Sequence, residues 1–315
     1  MLWILILLAT IGAATGWRAI SRATAGMAAF PPEGQFVSVD GHEVHYVQRG
    51  SGPDLVLIHG ASGNTRDFTF SMVDQLVDRY RVTVFDRPGL GYTPPLARRG
   101  VTLKDQADLL AGAAQALGIT QPILAGQSFG GAVAMAWAVH HDDVAAVVDI
   151  AGATYPWEGT LNRFYSTLAM PVVGDALAYI VAAWVSTGYI EGAIKGVFSP
   201  QNAPSGYADY IGSPLVVRPH SLIANAQQRT DLRTHLQALS PKYPDLSLPI
   251  EIVHGDADDT VPIHVHSQRL VQDVGTARLT ALSGIGHMPH HVAQAEVIDA
   301  IDRASARARN TQVLR

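Results

Sequence analysis

The sequence contains no cysteine in its 315 residues, which excludes a disulfide framework, a thiolate nucleophile and a cysteine-ligated zinc site. Charge is scarce as well. Asp, Glu, Lys and Arg make up 16% of the chain, against about 25% in an average soluble domain. With a formal net charge of -5, there is no basic footprint for nucleic acid. The 13 histidines show no H-E-x-x-H spacing, so neither a metal nor another cofactor is expected. Apolar material is plentiful, at 48%, enough to offset the entropy of ordering a core. The length suits one large domain, or one domain carrying an insertion.

A second absence marks the amino terminus, where no charged side chain occurs before Arg18. Residues 1–17 would form a helix of about 25 Å, slightly short of a ~30 Å hydrocarbon core. Because Arg18 and Arg22 follow the run rather than precede it, a retained membrane anchor is favoured over a cleaved export signal or an ordinary helix. Residues 30–34, Phe-Pro-Pro-Glu-Gly, read as a linker. Deleting residues 1–29 is therefore expected to release a soluble, active domain.

Beyond the linker, two strands are predicted at 35–39 and 43–48 around an Asp40-Gly41 turn. Apolar runs at 55–58, 82–85, 123–125, 144–150, 250–253 and 278–282 then alternate with helical patterns. Such runs imply a mostly parallel sheet covered on both faces. The rhythm breaks between about 154 and 248, which reads as an inserted, mainly helical cap. The expected organisation is thus a segment 1–30, a core from 31–153 and 249–315, and a cap from 154–248.

Three polar sites fall at the ends of predicted strands. Gly126-Gln127-Ser128-Phe129-Gly130 is a G-x-S-x-G turn between strand and helix, in which small flanking residues leave room for a sharp bend. Asp256, Asp258 and Asp259 follow the strand at 250–253, and Gly284-Ile285-Gly286-His287 follows the last strand. Serine, acid and histidine in that order converge above a parallel sheet.

These motifs resemble those of the α/β-hydrolase superfamily over roughly residues 35–307, together with His59-Gly60-Ala61 and the Asp86-Arg87-Pro88-Gly89-Leu90-Gly91 loop. The resemblance implies that fold, with Ser128 as nucleophile, His287 as base and Asp258 as the acid orienting it. It also implies an oxyanion hole formed by the backbone N–H groups of Ala61 and Phe129. Asp149 is an alternative acid, while Asp256 and Asp259 read as loop residues. His290 and His291 are expected in capping or surface roles and His59 in a structural one.

Serine in place of an aspartate nucleophile argues for acyl chemistry rather than alkyl-enzyme chemistry. The expected substrate is a small carboxylic ester, with a lipophilic acyl group suggested by bulky cap residues such as Trp157, Phe164, Leu168, Met170, Tyr179, Trp184, Tyr189, Phe198 and Tyr207. A carbon–carbon hydrolase of ring-fission dienoates and a non-catalytic ligand receptor are the rival readings.

Overall fold

In the computed structural model, residues 1–159 and 162–313 are described. Eight strands form one sheet: β1 (Gln35–Val39), β2 (His42–Arg49), β3 (Asp54–Ile58), β4 (Arg81–Phe85), β5 (Ile123–Gln127), β6 (Ala146–Ile150), β7 (Ile250–Gly255) and β8 (Ala277–Leu282). Their order is β1-β2-β4-β3-β5-β6-β7-β8. The β1–β2 and β2–β4 pairs are antiparallel, and every later pair is parallel. Strands β1 and β2 lie at the predicted hairpin, and the other six lie at the six apolar runs. The protein has the α/β-hydrolase fold, a mostly parallel sheet flanked by helices.

The continuous apolar runs arise because alternate residues of each strand serve two cores. Val56 and Ile58 of β3 pack with the helices Leu103–Ala116 and Phe129–His140. Leu55 and Leu57 pack on the other face, with Phe68, Met72 and the C-terminal helix residues Val297 and Ile301. Strand order reverses direction between β3 and β5, and at such a switch point the carboxyl ends of the strands open a crevice.

Between β6 and β7 the chain is helical among the described residues, and its longest helix is Pro219–Leu239. That helix is anchored to the sheet core through Leu232, Leu236 and Leu239.

The amino terminus departs from expectation. The helix Leu2–Ala29 is long and apolar enough to cross a membrane, but its second half is not a free tether. Ala19 is buried against Ala182 and Ala183 of the helix Val173–Trp184. Arg18 Nε donates to the Ala183 carbonyl at 2.8 Å, and Arg22 donates to those of Ala183 and Val185 at 2.9 and 3.0 Å. These guanidinium groups satisfy carbonyls left over at a helix end.

The expected linker is pinned as well. Arg66 donates to the Pro31 carbonyl and pairs with Glu33, and Tyr92 donates to the Phe30 carbonyl. The physical signal was a small-residue stripe, Thr15, Ala19 and Gly26, which permits close helix packing and was hidden inside an apolar composition.

Candidate active site

Strand β5 ends at Gln127, and the helix Phe129–His140 begins at the next residue but one, leaving Ser128 alone in the turn. Ser128 has φ 54° and ψ -115°, a conformation that costs a non-glycine residue of the order of 1–3 kcal/mol. The surroundings enforce it. A Cβ on Gly126 would lie 2.2 Å from the Gly130 carbonyl oxygen, and one on Gly130 would lie 2.0 Å from that of Ile58. Ser128 N–H donates to the Ile150 carbonyl at 2.9 Å, tying the turn to the end of β6.

The three residues expected to converge do so. His287 Nε2 lies 2.9 Å from Ser128 Oγ, and His287 Nδ1 lies 2.6 Å from Asp258 Oδ2. Asp258 Oδ1 accepts from the backbone N–H groups of Thr260 and Val261, both at 2.9 Å. Burial alone would raise the Asp258 pKa. Hydrogen bonds from His254 and His287, and the backbone donors, hold it well below the ordinary carboxylate range. An anionic Asp258 fixes the His287 tautomer with its proton on Nδ1, leaving Nε2 free to accept from Ser128.

Three further residues frame this line without being singled out by sequence. His254, buried at the end of β7, places Nε2 3.1 Å from Asp258 Oδ2 and 2.8 Å from the Val261 carbonyl, with Nδ1 2.6 Å from Ser267 Oγ. Gln127 donates to the His287 carbonyl at 3.2 Å.

Arg87 is fully buried. It donates to the carbonyls of His59 and Gly60 and to the side-chain oxygens of Gln106 and Gln228. Its guanidinium lies 4.3 Å from the Phe129 ring centre. Burial among neutral acceptors lowers its pKa to about 9.

Because the Gly60 carbonyl accepts from Arg87, the Gly60–Ala61 peptide is polarised toward a stronger Ala61 N–H donor. Neither the Ala61 nor the Phe129 N–H donates a hydrogen bond within the described structure. Neither composition nor periodicity gives a cue to Arg87, His254 or Gln127. A buried arginine between two glutamines is visible only in three dimensions.

The other sequence candidates fall elsewhere. Asp256 accepts from Gly284 N–H in an exposed turn, and Asp259 is an exposed loop residue. Asp149 is fully buried beneath Gly131 and Gly152, and burial raises its pKa to about 7. His59 is structural, its Nε2 accepting from Arg87 N–H at 3.0 Å.

His290 and His291 are buried, contrary to the expected surface role. Their Nε2 atoms lie 3.2 and 2.9 Å from the Asp67 carboxylate, which also accepts from Tyr207 at 2.7 Å. The short helix Pro289–Val292 turns both rings inward, onto an acid that sequence distance concealed. These three could gather around a cation, having ligand atoms within 4.8 Å of one another. However, neither Nδ1 has the outer hydrogen-bond partner that ligating histidines normally keep. Hydrogen bonding to the Asp67 carboxylate accounts for their inward orientation.

The bulky cap residues also divide differently from expectation. Met170, Tyr179, Trp184 and Tyr189 point outward at 49, 41, 57 and 65% exposure, whereas Leu168, Phe198 and Tyr207 are packed.

Comparison with known proteins bears on the family and the fold. Residues 55–300 match the alpha/beta hydrolase family. The magnesium-chelatase 30 kDa subunit of Rhodobacter capsulatus is 29% identical over 77% of this chain and 83% of its own. A pimeloyl-[acyl-carrier protein] methyl ester esterase of Vibrio atlanticus is 30% identical over 72% of this chain and 83% of its own. Among solved structures, a membrane phospholipase A superposes with a TM-score of 0.67 at 22% identity, over 96% of this chain and 98% of that one. A thermophilic esterase from Thermogutta terrifontis gives 0.69 at 20% identity, over 87 and 99%.

Proposed function

The chain belongs to the alpha/beta hydrolase family, and we propose that it is a serine esterase working through an acyl-enzyme on Ser128. The observation that carries this reading is the unbroken hydrogen-bond line Ser128–His287–Asp258 beside unpartnered backbone donors.

In this mechanism Ser128 Oγ attacks the ester carbonyl while its proton passes to His287 Nε2. The carbonyl oxygen, now negative, is held by the N–H groups of Ala61 and Phe129. The tetrahedral centre then collapses, the C–O bond to the alcohol breaks, and His287 returns the proton to the leaving oxygen. A water molecule, deprotonated by the same histidine, attacks the acyl-Ser128 ester and regenerates the hydroxyl. Asp258 remains ionised throughout and stabilises the imidazolium.

The proposed substrates are esters with lipophilic acyl groups, met at a membrane to which the N-terminal helix attaches the enzyme. The charge-poor cap beside the site supports this: a buried methylene gains about 0.8 kcal/mol, whereas a charged acyl group would lose hydration without a partner. The esterase relatives support the bond type. Ser128 itself is nearly buried, at 9% exposure, so the acyl group would meet the nucleophile away from bulk water.

The test is kcat/KM across 4-nitrophenyl acetate, butyrate, hexanoate and octanoate, with a dienoate carbon–carbon substrate alongside. The reading expects ester turnover rising to medium chain length. A steady fall from acetate onward would remove the lipophilic part, and turnover of the dienoate alone would remove the esterase.

A further inference from the structure

The N-terminal helix meets the cap before it is long enough to cross a membrane. Residues 2–14 of the N-terminal helix are exposed, and packing against the cap begins at Thr15. That stretch rises about 20 Å, while crossing a ~30 Å hydrocarbon layer takes about 20 residues. A transmembrane helix must therefore draw its last turns from the stretch between Thr15 and Ser21, and that stretch is fastened to the end of the helix Val173–Trp184. Ala19 packs on Ala182 and Ala183, and Trp184 Nε1 donates to Thr15 Oγ1 at 3.3 Å. Whatever depth Ala19 reaches, the end of the cap helix reaches too.

The exposed side chains of both helices suit that depth. Trp17 and Ile20 on one helix, and Ile180 and Trp184 on the other, are 73, 59, 50 and 57% exposed. The cap helix carries one charge, Asp175, and it is paired with Arg98 and Arg99. Arg18 lies over the Trp184 ring at 4.6 Å, and Arg18 and Arg22 are bonded to cap carbonyls. Tryptophan and arginine side by side is the composition of a membrane–water boundary. Ile180, one turn from Trp184, is about 6 Å from it along the helix, a distance comparable to the thickness of the polar layer of a bilayer.

We propose that the end of the cap helix Val173–Trp184, bearing Ile180 and Trp184, is itself seated in the lipid interface, so that the anchor and the cap form one membrane-contacting unit. The inference rests on the N-terminal helix being a membrane anchor. It adds that the catalytic domain does not hang clear on a tether but meets the bilayer through its cap.

The absence of cysteine allows a direct test. Single variants Leu7→Cys, Ile180→Cys and Thr120→Cys of the full chain are labelled with an environment-sensitive fluorophore and reconstituted in phosphatidylcholine–phosphatidylglycerol vesicles. Thr120 is exposed just before β5, at the amino ends of the parallel strands and opposite the site.

The proposal expects the Leu7 and Ile180 labels to shift to the blue and to lose intensity to nitroxide-bearing lipid, with the Thr120 label unaffected. A lipid-exposed Leu7 label with a water-exposed Ile180 label overturns the cap contact and leaves the anchor standing. Both labels in water overturn anchor and contact together. An Ile180 label shielded from aqueous iodide yet untouched by nitroxide lipid would mean contact with a second protein copy, and that also overturns the proposal. Turnover of a soluble 4-nitrophenyl ester by the same samples reports separately on the esterase reading.

Discussion

The carboxyl edge of the sheet and the outer face of the cap solve opposite problems. At the edge, Ser128, Asp258 and His287 are at most 9% exposed, and each is held by strand ends and backbone hydrogen bonds. On the cap, Ile180, Trp184 and Tyr189 are half exposed or more, and the helix is fastened through alanines and two arginines. A catalytic line needs fixed distances, so it stands on the least mobile elements of the fold. A surface that must meet apolar material tolerates exposed side chains that a soluble face would replace. Under the proposed function, bond-breaking belongs to the sheet and access to the cap.

Breaking the sheet side should have the largest effect. Ser128→Ala and His287→Ala should each lower kcat by about 10⁴-fold or more, because nucleophile and base act as a unit. Asp258→Asn should cost roughly 10³–10⁴-fold, since the amide no longer fixes the imidazole tautomer. Steady-state assays that found Asp149→Asn crippling and Asp258→Asn mild would reassign the acid.

Next in size is the oxyanion loop. Arg87→Lys should lower kcat by about 10–10²-fold with little change in KM. A lysine cannot reproduce the fork onto His59, Gly60, Gln106 and Gln228, and the loss is indirect compared with removing a donor. A rise in KM alone would place Arg87 in binding rather than in transition-state stabilisation.

The cap side should respond in stability. Removing residues 1–29 exposes Ala182 and Ala183 and frees the carbonyls held by Arg18 and Arg22, whereas removing residues 1–13 touches none of them. The longer deletion should lower Tm, by about 2 °C for each kcal/mol lost in a chain of this size, and the shorter one should not. Equal melting of both truncations would show that the packed half contributes nothing.

The smallest effect expected is on pH dependence. His290 is buried and, chiefly by that burial, has its pKa lowered to about 4. Its unfolded counterpart titrates near ~6.5, so between those values the unfolded state binds more protons and stability falls as the solution is acidified. Below about pH 4 this contribution is gone. Replacing His290 by Gln should flatten the slope of Tm between pH 6.5 and 4. An unchanged slope would locate the acid sensitivity in other buried histidines.

The sheet was legible in the sequence because each strand feeds two cores, and Val-, Ile- and Leu-rich runs have no other inexpensive use in a chain of this rhythm. The convergence of Ser128, His287 and Asp258 was legible because Gly126 and Gly130 answer a steric demand that few other residues meet. His254 and Arg87 were not, since a side chain that bonds backbone carbonyls or a neighbour's carboxylate leaves no periodic trace. Nor was the burial of His290 and His291, which depends on Asp67, more than two hundred residues away. The packed half of the N-terminal helix was misread because alanine and glycine suit a membrane span and a helix interface equally well.

The most direct test of the central claim is intact-mass spectrometry after treatment with a fluorophosphonate, followed by peptide mapping. The account predicts a single adduct on Ser128 that forms in step with loss of ester turnover, slows sharply in His287→Ala and is absent from Ser128→Ala. An adduct on another residue that tracks the loss of activity, or wild-type ester turnover by Ser128→Ala, would contradict it.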